Sequence, residues 1–363
     1  MLETGKIGVR QFTVLTILFT IGTSILIAPS GLSEVAKQDA WIASIVGMGL
    51  GLLTIPLYNS LANRFPNMTI AEYSEAILGK WSGKTVFLLY FTFIFLLTAQ
   101  MLSNLGYFIT TQIMPETPIQ VVIILFILVT IMAVRLGLEV WTRAAEIFFP
   151  WVILLFLLLV AALLPEVKLS KIQPVFEGGL KPVLHAAINF FGLQQNVILL
   201  MVFPYVNQKI KAGSAFLTGT LLGGMFLIII TLLSILVLGE DITTRNVYPS
   251  YSLAKRIGRL EAVMAGLWFI SIYFKIIICF YASVIGLAQI FNLKEFRPLL
   301  FPLGIIMLVL SLLVYPNLVY IQLFIAKIWT PYALTFMLFL PLFLLAVAVM
   351  RKKFEPTESD KNR

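Results

Sequence analysis

The chain has 363 residues, of which 60% are hydrophobic and 12% charged, with a mean hydropathy of +0.98. Soluble domains carry nearer a quarter charged residues, so a soluble enzyme or binding domain is excluded and an integral membrane protein is indicated. The Lys and Arg residues behind the formal charge of +9 are dispersed among short loops rather than gathered on one face, which argues against a nucleic-acid partner and for loop charges that set topology.

Apolar runs long enough to cross a bilayer, which takes about 20 residues each, recur from one end of the chain to the other. Lys6 and Arg10 precede the first run and faintly resemble the start of a signal peptide, but no small-x-small cleavage site follows, and the run reads as a retained first helix. Breaking the chain at charged and Pro/Gly-rich clusters predicts spans at 12–36, 41–63, 84–113, 118–134 and 140–164, then at 182–205, 213–238, 258–291, 298–320 and 330–350. The expectation is an all-α integral membrane protein with ten transmembrane helices in a single membrane domain, 1–363, with one five-helix group at 12–164, another at 182–350 and a cytoplasmic tail at 351–363. Lys and Arg are more numerous in the segments on the N-terminal side of that topology, which puts both termini in the cytoplasm.

Between spans 2 and 3, "NMTIAEYSEAILGK" has a capping Thr69 and apolar Ile70, Tyr73 and Ile77, the spacing of a short amphipathic interfacial helix. The segment 240–258, "EDITTRNVYPSYSLAKRIG", is the longest outer loop; it reads equally as a solvated connector or as a loop that meets a ligand or partner. The tail "RKKFEPTESDKNR" has the composition of a disordered segment.

Two spans are interrupted at matching offsets. Span 1 carries Gly22, Thr23, Ser24 and Ile25 about ten residues in, and span 6 carries Phe191, Gly192, Leu193, Gln194, Gln195 and Asn196 at a like distance. Five helices per group make the two groups cross in opposite senses, and paired interruptions of this kind point to an inverted-repeat transporter site. Unwound backbone has N–H and C=O groups that lipid cannot satisfy, so it persists where it lines a cavity or a ligand. Freed donors at half-helix starts suit a carboxylate and freed acceptors at half-helix ends suit an ammonium, so a zwitterionic amino acid fits both. Close helix packing is the alternative use of such small residues, and "GMGLG" at 47–51 and "GTLLGG" at 219–224 have that look.

Lys275 lies midway along span 8, where an ammonium is costly and marks function by default. It could point at carbonyls freed in span 1, standing in for a coupling cation or carrying a proton, or it could snorkel to an interface. Gln100, Asn104 and Tyr107 follow one face of span 3 and could line a pore or bind a neighbouring helix. Glu146 shares a face of span 5 with Glu139 and Arg143; Arg143 could neutralise both acids, or Glu146 could gate. Tyr273 flanks Lys275 and either lines the pathway or packs. With one Cys (Cys279, in an apolar run) and one His (His185), no disulfide or metal site is expected. The chain lacks a Walker A sequence, a G-x-S-x-G elbow and HExxH, so no enzyme activity or cofactor is expected.

The opening "GKIGVRQFTVLTILFTIGTSILIAPS", the "RAAEIFFPW" of span 5 and the helix layout resemble the B subunits of bacterial spore germinant receptors, within the amino acid/polyamine/organocation transporter superfamily. That resemblance covers essentially the whole chain. It implies a LeuT-like five-plus-five inverted repeat with broken helices 1 and 6, a place in the spore inner membrane, A and C subunits as partners, and the sensing of a small nutrient, commonly an amino acid. By position it carries the substrate site to residues 22–25 and 191–196. Lys275 falls where the superfamily often has small polar cation ligands, which speaks against sodium coupling. A proton-coupled amino-acid transporter and a water or ion conduit are the competing functions.

Overall fold

The computed structural model describes residues 3–353, apart from 257 and 259. Among these residues helices are the regular structure, and a single isolated bridge joins Ile7 and Val206. The expected tail lies, beyond Lys353, outside the described residues.

The first span is two helices, α1 (Val9–Ile21) and α2 (Ser24–Ala36). They are followed by α3 (Ala40–Arg64), the short α4 (Ile70–Leu78), α5 (Lys80–Phe108) with a π turn at its end, α6 (Ile119–Leu136) and α7 (Leu138–Leu163). The second group opens with α8 (Leu180–Phe191), continues past a gap as 3-10 turns (Asn196–Met201 and Phe203–Tyr205), and then forms α9 (Lys209–Leu238). Two short helices, α10 (Glu240–Arg245) and α11 (Pro249–Arg256), precede α12 (Glu261–Ile290) and α13 (Leu300–Leu313). The chain ends in a run of α14 (Leu318–Phe324), α15 (Thr330–Leu334) and α16 (Leu340–Met350), joined by π turns.

Among the described residues, eight helical stretches are long and apolar enough to cross a membrane, and two shorter apolar helices, Val9–Ile21 and Arg297–Leu313, accompany them. The chain is a multi-pass membrane protein. Length and composition reach eight crossings; a count of ten follows when the two shorter helices take part in crossings of their own. The ninth span is shorter than expected, because α13 stops at Leu313, and the tenth starts earlier, at Leu318 rather than near 330.

Small residues bring α1 close to the second group. A methyl added to Gly219 would lie 2.6 Å from Thr16 Cβ, and one added to Gly223 would lie 2.7 Å from Thr20 Cβ, so α9 and α1 pack nearly backbone to backbone. Thr16 and Thr20 turn their hydroxyls back to the carbonyls of Phe12 and Thr16, each at 2.8 Å, leaving only methyls at that contact. Gly47 meets the Ala187 carbonyl in the same way, at 2.6 Å from an added Cβ, and this fixes α3 against α8. The packing role read for "GMGLG" therefore belongs to Gly47 and Gly51, whereas Gly49 faces open space.

The amphipathic α4 is present, capped by Thr69 and Glu72: the Thr69 amide donates to Glu72 Oε2 at 2.8 Å. Its apolar face, Ile70, Tyr73 and Ile77, is buried against the protein, with Tyr73 stacked on Phe65 at 5.6 Å. The segment 240–258 is not a solvated connector, since Thr243, Tyr248, Ser250, Tyr251, Leu253 and Ala254 are buried. Its two helices cap the end of the bundle away from the N-terminus.

Candidate ligand cavity

Both interruptions read from the sequence are present, and they face each other. α1 ends at Gly22, whose backbone (φ +20°, ψ −120°) lies where a side chain is strained. A Cβ there would also sit 2.3 Å from Lys275 Cδ, so Gly22 makes room for the lysine stem rather than for a ligand. The second interruption covers residues 192–195, and the helix does not resume its α geometry afterwards; it becomes a 3-10 run.

The backbone groups freed at these places find side-chain partners. The Leu193 carbonyl accepts from Ser24 Oγ at 3.3 Å, which ties one interruption to the other. The Gly192 carbonyl accepts from Gln195 Nε2 at 2.9 Å and from Trp329 Nε1 at 3.0 Å. The Ile25 carbonyl accepts from Ser250 Oγ, in the capping helix α11, at 2.6 Å. Backbone accounting of this kind is obligatory away from water. Its outcome differs from expectation, because side chains have taken these carbonyls and other side chains line the void.

That void lies between the interruptions and α5, α12 and the last helical run. Thr23, Ser24 and Ile27 line it from α2 and the residue before it, Leu97, Gln100, Met101 and Asn104 from α5, Leu193 and Gln195 from the second gap, and Lys275 from α12. Tyr315, Ile321, Ile325 and Trp329 close the remaining side. Its volume of about 40 Å³ admits a few water molecules, so a larger solute enters only when the walls part.

Lys275 is 1% exposed, and its Nζ donates to Gln195 Oε1 at 2.8 Å, not to carbonyls of span 1. It also lies over the Phe19 ring, 4.9 Å from the centroid. It therefore neither snorkels to an interface nor caps α1. Gln100 Nε2 and Thr23 Oγ1 are buried with no hydrogen-bond partner among the described residues, an arrangement that folded proteins seldom leave without a use. Asn104 Oδ1 accepts from Tyr248 OH at 3.0 Å, so the segment leading into α11 reaches down to the cavity wall.

The other sequence-selected residues lie outside this lining. Ile25 and Phe191 are packed in the core. Gln194 turns towards α3, donating to the Gly47 carbonyl at 3.1 Å. Asn196 accepts from Thr20 Oγ1 at 3.3 Å and donates to Thr220 Oγ1 at 3.5 Å. Tyr107 donates to the Tyr315 carbonyl at 3.0 Å. Tyr273 lines an apolar groove with Leu125, Val129 and Phe148, on another face of α12 from Lys275.

Glu146 pairs with Arg10 at 3.2 Å and accepts from Gln11 Nε2 at 3.2 Å; Arg143 is 3.7 Å from Glu139 alone. The expected neutralisation of both acids by Arg143 is thus replaced by a tie between α7 and the start of α1. Sequence reading missed Trp329, Tyr315, Ile321 and Ile325. A signal was available in "IWTPYAL", where Trp329 and Pro331 interrupt an apolar run.

The architecture is that of solved LeuT-type transporters. Mhp1, a nucleobase-cation-symport-1 family transporter in a closed conformation with bromovinylhydantoin bound, superposes with a TM-score of 0.71 at 14% identity, covering 99% of this chain and 82% of its own. MhsT in complex with L-phenylalanine gives 0.70 at 15% identity, covering 99% and 95%. The sequence itself is narrower in its kinship: the family model described as spore germination protein matches residues 6–319, and the chain belongs to that family. Spore germination protein KB of Bacillus subtilis (strain 168) is 30% identical over 374 aligned positions, 97% of each chain. Spore germination protein YndE of the same organism is 23% identical over 300, covering 80% of this chain and 83% of its own.

Proposed function

We propose that this protein is the membrane subunit of a nutrient germinant receptor, which binds a small solute, an amino acid on the present reading, between the two interrupted helices. The observation that supports it most is the void shared by both interruptions, walled by Lys275, Gln195, Gln100 and Thr23, in a chain of the spore germination family. Binding moves the equilibrium between gate positions by its difference in affinity for them, and partner A and C subunits read the position. The proposal includes two inverted five-helix repeats at 12–164 and 182–350, both termini in the cytoplasm, and residence in the spore inner membrane.

In this state the helices around the cavity are tied together on two sides. On one side, α11 bonds to the Ile25 carbonyl through Ser250, and Tyr248, the residue just before α11, bonds to Asn104. On the other, Ile7 pairs with the end of the 3-10 run, its amide donating to the Tyr205 carbonyl at 2.9 Å and its carbonyl accepting from the Asn207 amide at 2.9 Å.

Spores that carry this chain as their sole subunit of its type, exposed to single amino acids and sugars, test the proposal. Germination by one or a few of these nutrients, abolished by Lys275→Met, is expected. Purified protein in liposomes that accumulates an amino acid under a proton gradient would instead make it a transporter.

A further inference from the structure

We infer that the cavity is an anion cradle, in which a carboxylate of the ligand, or a group of like charge and shape, seats on Lys275 Nζ and is completed by Gln100 Nε2 and the Thr23 hydroxyl. This deepens the proposed function and rests on its reading of the cavity as the solute site.

The first support is charge. None of the residues lining the cavity is Asp or Glu, and Lys275 takes part in neither of the ion pairs found among the described residues. The ammonium has three donors and one hydrogen-bond acceptor, Gln195 Oε1, besides the Phe19 ring. An ammonium held away from water calls for an opposite charge, and the described residues pair it with none.

The second support is the kind of polar atom left over. Gln100, only 5% exposed, presents a buried amide nitrogen, and Thr23 a buried hydroxyl, neither with a hydrogen-bond partner among the described residues. Two of the acceptors that border the cavity are committed, Gln195 Oε1 to Lys275 and Asn104 Oδ1 to Tyr248. Gln195 cannot be turned over, because its nitrogen would then oppose a group that only donates. Free donors thus come from α5, from the residue before α2 and from α12, and they converge on one void. A carboxylate offers about four lone-pair sites and suits three donors; a cationic group would meet the like charge of Lys275.

The rest of the wall is apolar: Ile27, Leu97, Met101, Ile321, Ile325 and Trp329. The ligand class that fits is a small carboxylate with a compact apolar body. Sugars and nucleosides, which lack the charge, fit poorly.

Thermal unfolding of the full chain in nanodiscs tests this, because a ligand that binds the folded state raises the transition in proportion to its affinity. The probes are the protein amino acids, each paired with its carboxamide, together with propanoate, glucose and inosine. We expect at least one carboxylate to stabilise, with its amide at least tenfold weaker in apparent Kd. In Lys275→Gln the acid and the amide should become equal, and Gln100→Leu should weaken the acid at least threefold. An amide or sugar that binds as well as the acids, or a Lys275→Gln protein that still prefers the acid, overturns the cradle while leaving the solute site intact. If no probe stabilises the protein, the proposed function falls and the cradle falls with it.

Discussion

Lys275 on α12 and Gln195 in the second gap are joined by a hydrogen bond of 2.8 Å, and both are at most 2% exposed. The bond is asymmetric in what its loss would cost. Removing Gln195 leaves a buried charge with no acceptor, whereas removing the ammonium leaves only a neutral amide unpaired.

From this follows the first expectation. Gln195→Leu should destabilise the protein by about 3–5 kcal/mol, the usual scale for stranding one partner of a buried charge. Lys275→Met should change stability by no more than about 1–3 kcal/mol, the cost of one unmet amide oxygen offset by removal of the charge. Thermal unfolding of the two variants side by side checks the order; a less stable Lys275→Met protein would refute it.

Gly22 and Lys275 should be coupled. Gly22→Ala puts a methyl 2.3 Å from Lys275 Cδ and, at φ +20°, adds backbone strain on the order of 1–3 kcal/mol. Shortening the lysine removes that nearest contact, although Lys275 Cβ would remain at 3.3 Å. A double-mutant cycle with Lys275→Ala should therefore show Gly22→Ala to be less damaging in the shortened background, with a coupling of about 0.5–3 kcal/mol. Strict additivity would contradict the packing.

Ser250 of the capping helix α11 and Tyr248 just before it tie this cap to Ile25 and to Asn104 on the cavity wall. Tyr248→Phe removes the hydrogen bond to Asn104 and keeps the ring that packs on Phe108 at 5.1 Å. A loss of about 0.5–1.5 kcal/mol of closure corresponds to a roughly 2–12-fold faster opening. Labelling of Thr23→Cys by a small thiol reagent measures that opening, since the native Cys279 is buried. An unchanged rate would remove Tyr248 from the closure.

At the other end, Ile7→Pro deletes the amide that donates to the Tyr205 carbonyl. Hydrogen exchange at the Asn207 amide, which donates back to Ile7, should speed up, with no comparable change on α13. Exchange that stays the same at Asn207 would show that the pairing does not close this end.

Much of this fold was legible because the bilayer restricts backbone to helices and forces unwound stretches into view as polar residues within apolar runs. The clusters at Gly22 and Thr23 and at Gly192, Gln194 and Gln195 stood out for that reason, and the structure unwinds the chain there. Lys275 stood out on cost alone. Its partner did not, because nothing in "NFFGLQQNVILL" says which of two adjacent glutamines turns inward: Gln195 meets the lysine and Gln194 goes to the Gly47 carbonyl.

Glu146 was misread for a related reason. Spacing along one helix favours Arg143, while the nearer cation, Arg10, arrives from α1 and is invisible to a local pattern. The wall residues Ile321, Ile325 and Trp329 carry no charge to mark them, and the polar residues of that stretch, Gln322 and Lys327, are not in the cavity lining. The folding of 240–258 onto the bundle likewise depends on what its serines and tyrosines meet, which composition does not encode.

The most direct test of the ligand cavity is protection from chemical labelling. Thr23→Cys on the cavity wall and Tyr273→Cys in the apolar groove on another face of α12 are exposed to a thiol reagent with and without the nutrient that germinates the spores. The nutrient should slow labelling at Thr23→Cys at least fivefold and leave Tyr273→Cys unchanged. Equal labelling of Thr23→Cys with and without it would contradict a binding site between the two interrupted helices.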